Sequence, residues 1–136
     1  MQVSRLLKLV SLCALGLGLV APALAQPYPS RPVTMVVPYA PGGGADIIAR
    51  LLADAMKPHL GQPVIVTNRP GGQGTIGTAE GIQARPDGYT IALSAVATLT
   101  VQPHRQDLPY NTPDDYEPII KAANLPIMFS VHAKTP

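Results

Sequence analysis

The reading of this chain turns on one stretch, Val33-Thr34-Met35-Val36-Val37-Pro38-Tyr39-Ala40-Pro41-Gly42-Gly43-Gly44-Ala45-Asp46. Its first five residues are apolar or β-branched and lie between Pro32 and Pro38, residues that suit strand ends and not strand centres. A run that is nearly all apolar, without alternation, fits a strand buried on both faces of a parallel sheet. The glycine triplet reads as a loop. Beyond it Ile47, Ile48, Leu51, Leu52, Ala55, Met56 and Leu60 recur at helical spacing, with Arg50, Asp54 and Lys57 on the polar side. Asp46 falls in the first helical turn, where a negative charge complements the dipole, and Pro58 with Gly61 is expected to end the helix.

Outward from this unit the pattern repeats. Pro63 to Thr67 reads as a second strand, Asn68 to Gly74 as a second glycine-rich loop, and Thr75 to Ala84 as a weaker helix. That helix would carry Ile76, Ala79 and Ile82 on one side, with glycines at 77 and 81. Pro86-Asp87-Gly88 is a turn, and Tyr89 to Leu93 a third strand. Ser94 to Val101 is small and hydroxyl-rich, a loop that can open a short helix. Residues 102–117 are rich in proline and acid and read as a surface connection, after which Ile119–Asn124 and Ile127–Val131 are expected as two further strands. The alternation argues for an α/β fold with a mainly parallel sheet and right-handed crossovers. Ligands in such sheets bind at the carboxyl ends of the strands, so the loops after the first and third strands are the places to look.

Composition sets bounds on function. The chain has 136 residues, with 10 basic and 8 acidic side chains, one Cys and 16 Pro. A proline density this high disfavours a helical bundle. Residues 1–25 read as a secretory signal peptide: Arg5 and Lys8, an apolar run from Leu9 to Val20, then Pro22 and the cleavage motif Ala23-Leu24-Ala25. Cleavage after Ala25 removes Arg5, Lys8 and Cys13, which leaves eight basic and eight acidic residues and no thiol. No basic cluster for nucleic acid survives. A soluble, exported protein indifferent to oxidising conditions is expected.

The loop at 39–46 joins close-approach glycines to the start of a helix, where free N–H groups and the dipole favour an anion. It is neither a P-loop, since no Gly-Lys-Ser/Thr follows, nor a dinucleotide fingerprint, since Ile47 takes the third-glycine position. On spacing alone, a tight turn without a ligand is an equal reading. Arg69 can meet a carboxylate, although a solvated side chain or structural ion pair is the simpler reading. Ser94 and Thr98 offer hydroxyls at a strand end, with helix capping by Ser94 as the alternative. His59, His104 and His132 have no metal-ligand spacing, and Ser94 lies outside any nucleophile elbow. An exported α/β enzyme or an interaction module for an anionic partner remains open on these residues.

An ordered series of motifs narrows the choice. Tyr28-Pro29-Ser30-Arg31-Pro32 is followed by Val37 to Asp46, Leu60-Gly61-Gln62-Pro63-Val64, Asn68-Arg69-Pro70-Gly71, Gly74-Thr75-Ile76-Gly77 and Pro86-Asp87-Gly88-Tyr89-Thr90. The series resembles the Bug family, the TctC-like periplasmic receptors of tripartite tricarboxylate transporters. The resemblance implies a two-lobed Venus-flytrap α/β fold, periplasmic-binding-protein-like, that captures a small di- or tricarboxylate, amino acid or aromatic acid. It implies delivery to a membrane permease, monomeric action when full length, and neither catalysis nor a cofactor. In the family, backbone amides of the loop after the first strand hold a ligand carboxylate, often through waters. Carried over by motif, the ligand-binding residues are Tyr39, Ala40, Pro41, Gly42, Gly43, Gly44 and Asp46, with Ser94, Ala95 and Thr98 from the loop after the third strand. Family members are considerably longer. Residues 26–118 are therefore expected to be the first part of lobe one and 119–136 the strands crossing toward a lobe two that is missing, in a truncated chain expected to bind weakly or not at all and to be marginally stable alone.

Overall fold

A computed structural model describes residues 27–111, 114–124, 130 and 133. Three strands, β1 (Val33–Val37), β2 (Val64–Asn68) and β3 (Thr90–Ala92), form one sheet in the order β2-β1-β3. Both pairings are parallel, with Met35 opposite Val66 on one side and Ile91 on the other. Three helices follow the strands: α1 (Gly44–Leu60), α2 (Thr75–Ile82) and α3 (Val96–Thr100). The central strand is the one whose residues are apolar on both faces; Val33, Val36 and Val37 are all essentially inaccessible.

Side chains alternate across the sheet, so its two faces are covered by different helices. Met35 and Val37 meet Ala49 of α1, with Leu52, Met56, Val66, Ile91 and Leu93 around them. On the opposite face α2 lies against Ala92 and Pro38, where Cβ atoms built on Gly81 and Gly77 would come within 2.4 Å of Ala92 Cβ and 2.7 Å of Pro38 Cα. Helix and sheet backbones touch there because these two glycines lack side chains.

Four sequence expectations are corrected by this packing. Ile47 and Leu51 face solvent, 53% and 65% exposed, while Ala49 and Ala53 are buried, so α1 seats small residues against the sheet. Ile76 is likewise outward, and Gly77 and Thr78 are inward. Pro58 lies within the last turn of α1, and Gly61 alone ends it, in the left-handed region at φ 66° with its N–H donated to the Lys57 carbonyl at 3.0 Å. The strand expected at Ile119–Asn124 does not form: the segment is irregular, and Ile119 and Ile120 are 79% and 81% exposed. A strand needs a hydrogen-bonded neighbour, and this segment pairs with none of β1–β3. The expected strand at Ile127–Val131 and the segment 1–25 lie outside the described residues, apart from Ser130.

At the amino ends of the strands, two of the quoted motifs close on each other. Tyr28 Oη donates to the Gly88 carbonyl at 2.7 Å, and the Ser30 N–H donates to Tyr89 Oη at 2.9 Å. The Arg31 guanidinium stacks 3.9 Å from the Tyr89 ring centre and pairs with Asp87 at 3.2 Å.

Candidate functional site

The strand order decides where the site is. From β1 the chain moves to one side, to β2, and then crosses back over β1 to β3 on the other side. The carboxyl ends of β1 and β3 are therefore a topological switch point, where adjacent loops part and leave a crevice. The residues that face each other across it are Tyr39 and Thr98, whose hydroxyl oxygens lie 3.4 Å apart. The loop after β2 joins them: a Cβ on Gly74, at φ 95°, would sit 3.1 Å from Tyr39 Oη and 3.2 Å from Thr98 Oγ1. All three strand-end loops thus meet at Tyr39, Gly74 and Thr98.

Within the loop after β1, Ala40 to Gly44 are exposed and Gly42 takes φ 80°, a conformation L side chains rarely adopt. Gly43 is the N-cap of α1, and no side chain caps that helix. The first-turn N–H groups, with the positive end of a helix running Gly44–Leu60, are presented at the exposed mouth of the loop. α2 also begins at a glycine, Gly74, without a side-chain cap.

Asp46 occupies a different position from its neighbours in the loop. It is 3% exposed, and its carboxylate accepts from the Gly42 N–H at 2.9 Å, from Arg50 Nε at 2.9 Å and Nη2 at 3.0 Å, and from Asn68 Nδ2 at 2.9 Å. Asn68 Nδ2 also donates to the Tyr39 carbonyl at 3.0 Å. The Arg50 hydrogen bonds, then those from Gly42 and Asn68, hold the Asp46 carboxyl well below the usual carboxylate range, and the same pairing raises Arg50 above its ordinary value.

Ser94 neither caps a helix nor stands free: its hydroxyl lies 3.1 Å from Thr78 Oγ1, in contact with α2, and the N-cap of α3 is Ala95. Thr98 is buried, and its carbonyl accepts from the buried Tyr110 phenol at 3.0 Å. Burial pushes that phenol up, so it stays a neutral donor. Arg69 is engaged by Glu80 of α2 at 2.9 Å, the structural ion pair that was its simpler reading. Gln73, at φ 56°, accepts from the buried Gln102 at 2.8 Å. Sequence reasoning did not bring Gly74, Gln73 and Gln102 to the site: the first two carry the signal of the glycine-rich second loop, and Gln102 carries none.

Two open hollows among the described residues lie elsewhere, one of about 490 Å³ between α2 and Leu108-Pro109, the other of about 200 Å³ beside β2 and Arg50. Among the described residues no group of three or more His, Cys, Asp or Glu is placed to hold a metal ion. What the arrangement can do chemically is offer uncharged N–H and O–H donors to an anion.

Several known proteins resemble this chain. A model of the tripartite tricarboxylate transporter family receptors matches residues 48–136. Protein BugT of Bordetella pertussis is 36% identical over 139 aligned residues, covering 98% of this chain and 42% of BugT. That alignment extends the likeness back across the glycine loop. A solved structure described as a periplasmic transporter is 48% identical, with a TM-score of 0.59 over 62% of this chain and 29% of the other. MatC of Rhodopseudomonas palustris, solved with bound malate, is 36% identical with a TM-score of 0.55 over the same shares. The chain spans about two fifths of the length of the curated relatives it matches.

Proposed function

The chain belongs to the tripartite tricarboxylate transporter receptor family, the Bug or TctC-like periplasmic solute-binding proteins, and from that membership we propose that its glycine loop holds one carboxylate of a small organic acid. The single observation that carries this reading is the uncapped start of α1, open at the switch point between β1 and β3. A carboxylate set against the N–H groups of Gly43, Gly44 and Ala45 would take the bonds that no side chain supplies. The half-buried Tyr39, its hydroxyl backed by the buried Thr98 Oγ1, is a hydroxyl donor for the same anion or for a water that bridges to it. Neutral donors bind an anion reversibly, which suits a protein that must release what it captures.

The malate seated in MatC supports a dicarboxylate as the first ligand to try. The relatives' greater length supports a receptor in which residues 26–118 belong to one lobe and 119–136 lead toward a second. On this reading the protein works in the periplasm, reached by cleavage after Ala25, and hands its ligand to a permease of the tripartite tricarboxylate type. It acts by binding and release, with no bond made or broken.

A thermal-shift panel of mono-, di- and tricarboxylates tests the proposal, because a ligand that binds only the folded state raises Tm by mass action. A concentration-dependent rise with one acid, abolished when its carboxylates are esterified, is the expected result. A folded chain whose Tm is indifferent to every acid counts against the proposal.

A further inference from the structure

Asp46 carries a negative charge at the place where a second negative charge is proposed to bind, and the surrounding contacts explain how both are accommodated. Four hydrogen bonds converge on its carboxylate, from Gly42, from two nitrogens of Arg50 and from Asn68. Its charge is therefore matched within its own helix by Arg50, four residues on. Asp46 is buried, while Gly42, Gly43 and Gly44 beside it are exposed, so the carboxylate braces the loop from behind and does not meet solvent. The brace holds the loop at two points: Gly42 directly, and Tyr39 through the Asn68 amide that bonds both the Tyr39 carbonyl and Asp46.

We infer that Asp46 is a positioning residue for the carboxylate site, fixing the turn at Gly42 so that the following amides point outward together. Arg50 and Asn68 complete the device. Arg50 cancels the charge that would repel an incoming anion, and Asn68 ties the end of β2 to the start of the loop. A loop without this brace pays its ordering entropy at the moment of binding, and affinity falls accordingly. The inference rests on the reading of the loop as a carboxylate site.

The test uses the whole chain with L-malate as the probe, by titration calorimetry and residue-resolved amide hydrogen exchange. Asp46→Asn is expected to weaken malate binding about tenfold or more and to speed exchange at Gly42, with Tyr89 at the far end of the sheet unchanged. A folded Asp46→Asn chain that binds malate as the wild type does overturns the inference. Should that variant fail to fold, Asn68→Ala carries the test, since it removes the Asn68 link between Tyr39 and Asp46 and leaves the Gly42 and Arg50 bonds to Asp46 in place; a loss of about threefold or more is expected, and unchanged affinity overturns the inference. A folded wild type that binds no carboxylate defeats the receptor reading and the brace's role in binding with it. Wild-type binding with indifferent variants defeats the brace alone.

Discussion

The two ends of the sheet use their polar groups in opposite ways. At the amino ends, side chains satisfy one another: Tyr28 reaches the Gly88 carbonyl, Ser30 meets Tyr89, and Arg31 is held both by the Tyr89 ring and by Asp87. At the carboxyl ends the side chains that could compete for a ligand are tied back. Asp46 faces Arg50 and Asn68, Arg69 faces Glu80, and Ser94 meets Thr78. What is left open there is backbone, at the glycine-started helix α1. On the proposed reading the amino end is a clasp and the carboxyl end the receiving surface, although both are built from short sequence motifs of similar length.

Substitutions can break this contrast at one end without disturbing the other. The largest effect is expected at Gly77, where a methyl group would come within 2.7 Å of the Arg69 carbonyl oxygen and the Pro38 Cα, backbone atoms that cannot swing aside. Gly77→Ala should lower stability by about 2–3 kcal/mol, read from the midpoint of denaturant unfolding. A methyl group on Gly74 would come within 3.1 Å of Tyr39 Oη and 3.2 Å of Thr98 Oγ1 and must adopt φ 95°. Gly74→Ala should cost about 1–2 kcal/mol and also part the Tyr39–Thr98 hydroxyls, seen as a loss of carboxylate affinity.

Acid sharpens the contrast further. The Asp46 carboxyl, ordinarily at 3.8, is held lower in the folded state by Arg50, Gly42 and Asn68. A depressed folded-state value means that its contribution is complete above about pH 4 and is lost as pH falls toward that value. Thermal melts from pH 6 downward should show stability falling below about pH 4, and the fall should be shallower in Asp46→Asn. A wild type and variant with parallel acid profiles would contradict this. The smallest effect belongs to the clasp: Arg31 is 59% exposed and Asp87 40%, so Arg31→Ala should cost only about 0.5–1 kcal/mol, less at high salt, and leave carboxylate affinity unaltered.

Particular residues show what was legible in the sequence. The three strands and the helices after them could be read because Val33–Val37 is apolar between prolines and because glycine runs mark both loops. The faces of α1 and α2 could not. Large aliphatic side chains carry the periodic signal, yet Ala49, Ala53, Gly77 and Thr78 are the residues that seat the helices, since close packing on the sheet rewards small size. The glycine loop was legible as the opening of α1, and Asp46 as a first-turn acid. Its partners were not, because Asn68 lies 22 residues away and reaches Asp46 only once β2 has paired with β1. The clasp was hidden for the same reason: the motifs at 28–32 and 86–90 were each visible, while their contact spans about 60 residues.

The central claim is that the carboxyl-end backbone, and not the side-chain-rich amino end, receives the ligand. Amide chemical-shift mapping during a malate titration tests it most directly. The account predicts saturable shifts at Gly43, Gly44 and Ala45, smaller ones around Tyr39 and Thr98, and none at Ser30, Gly88 or Tyr89. Saturable shifts confined to the clasp residues, with the glycine loop silent, would contradict it.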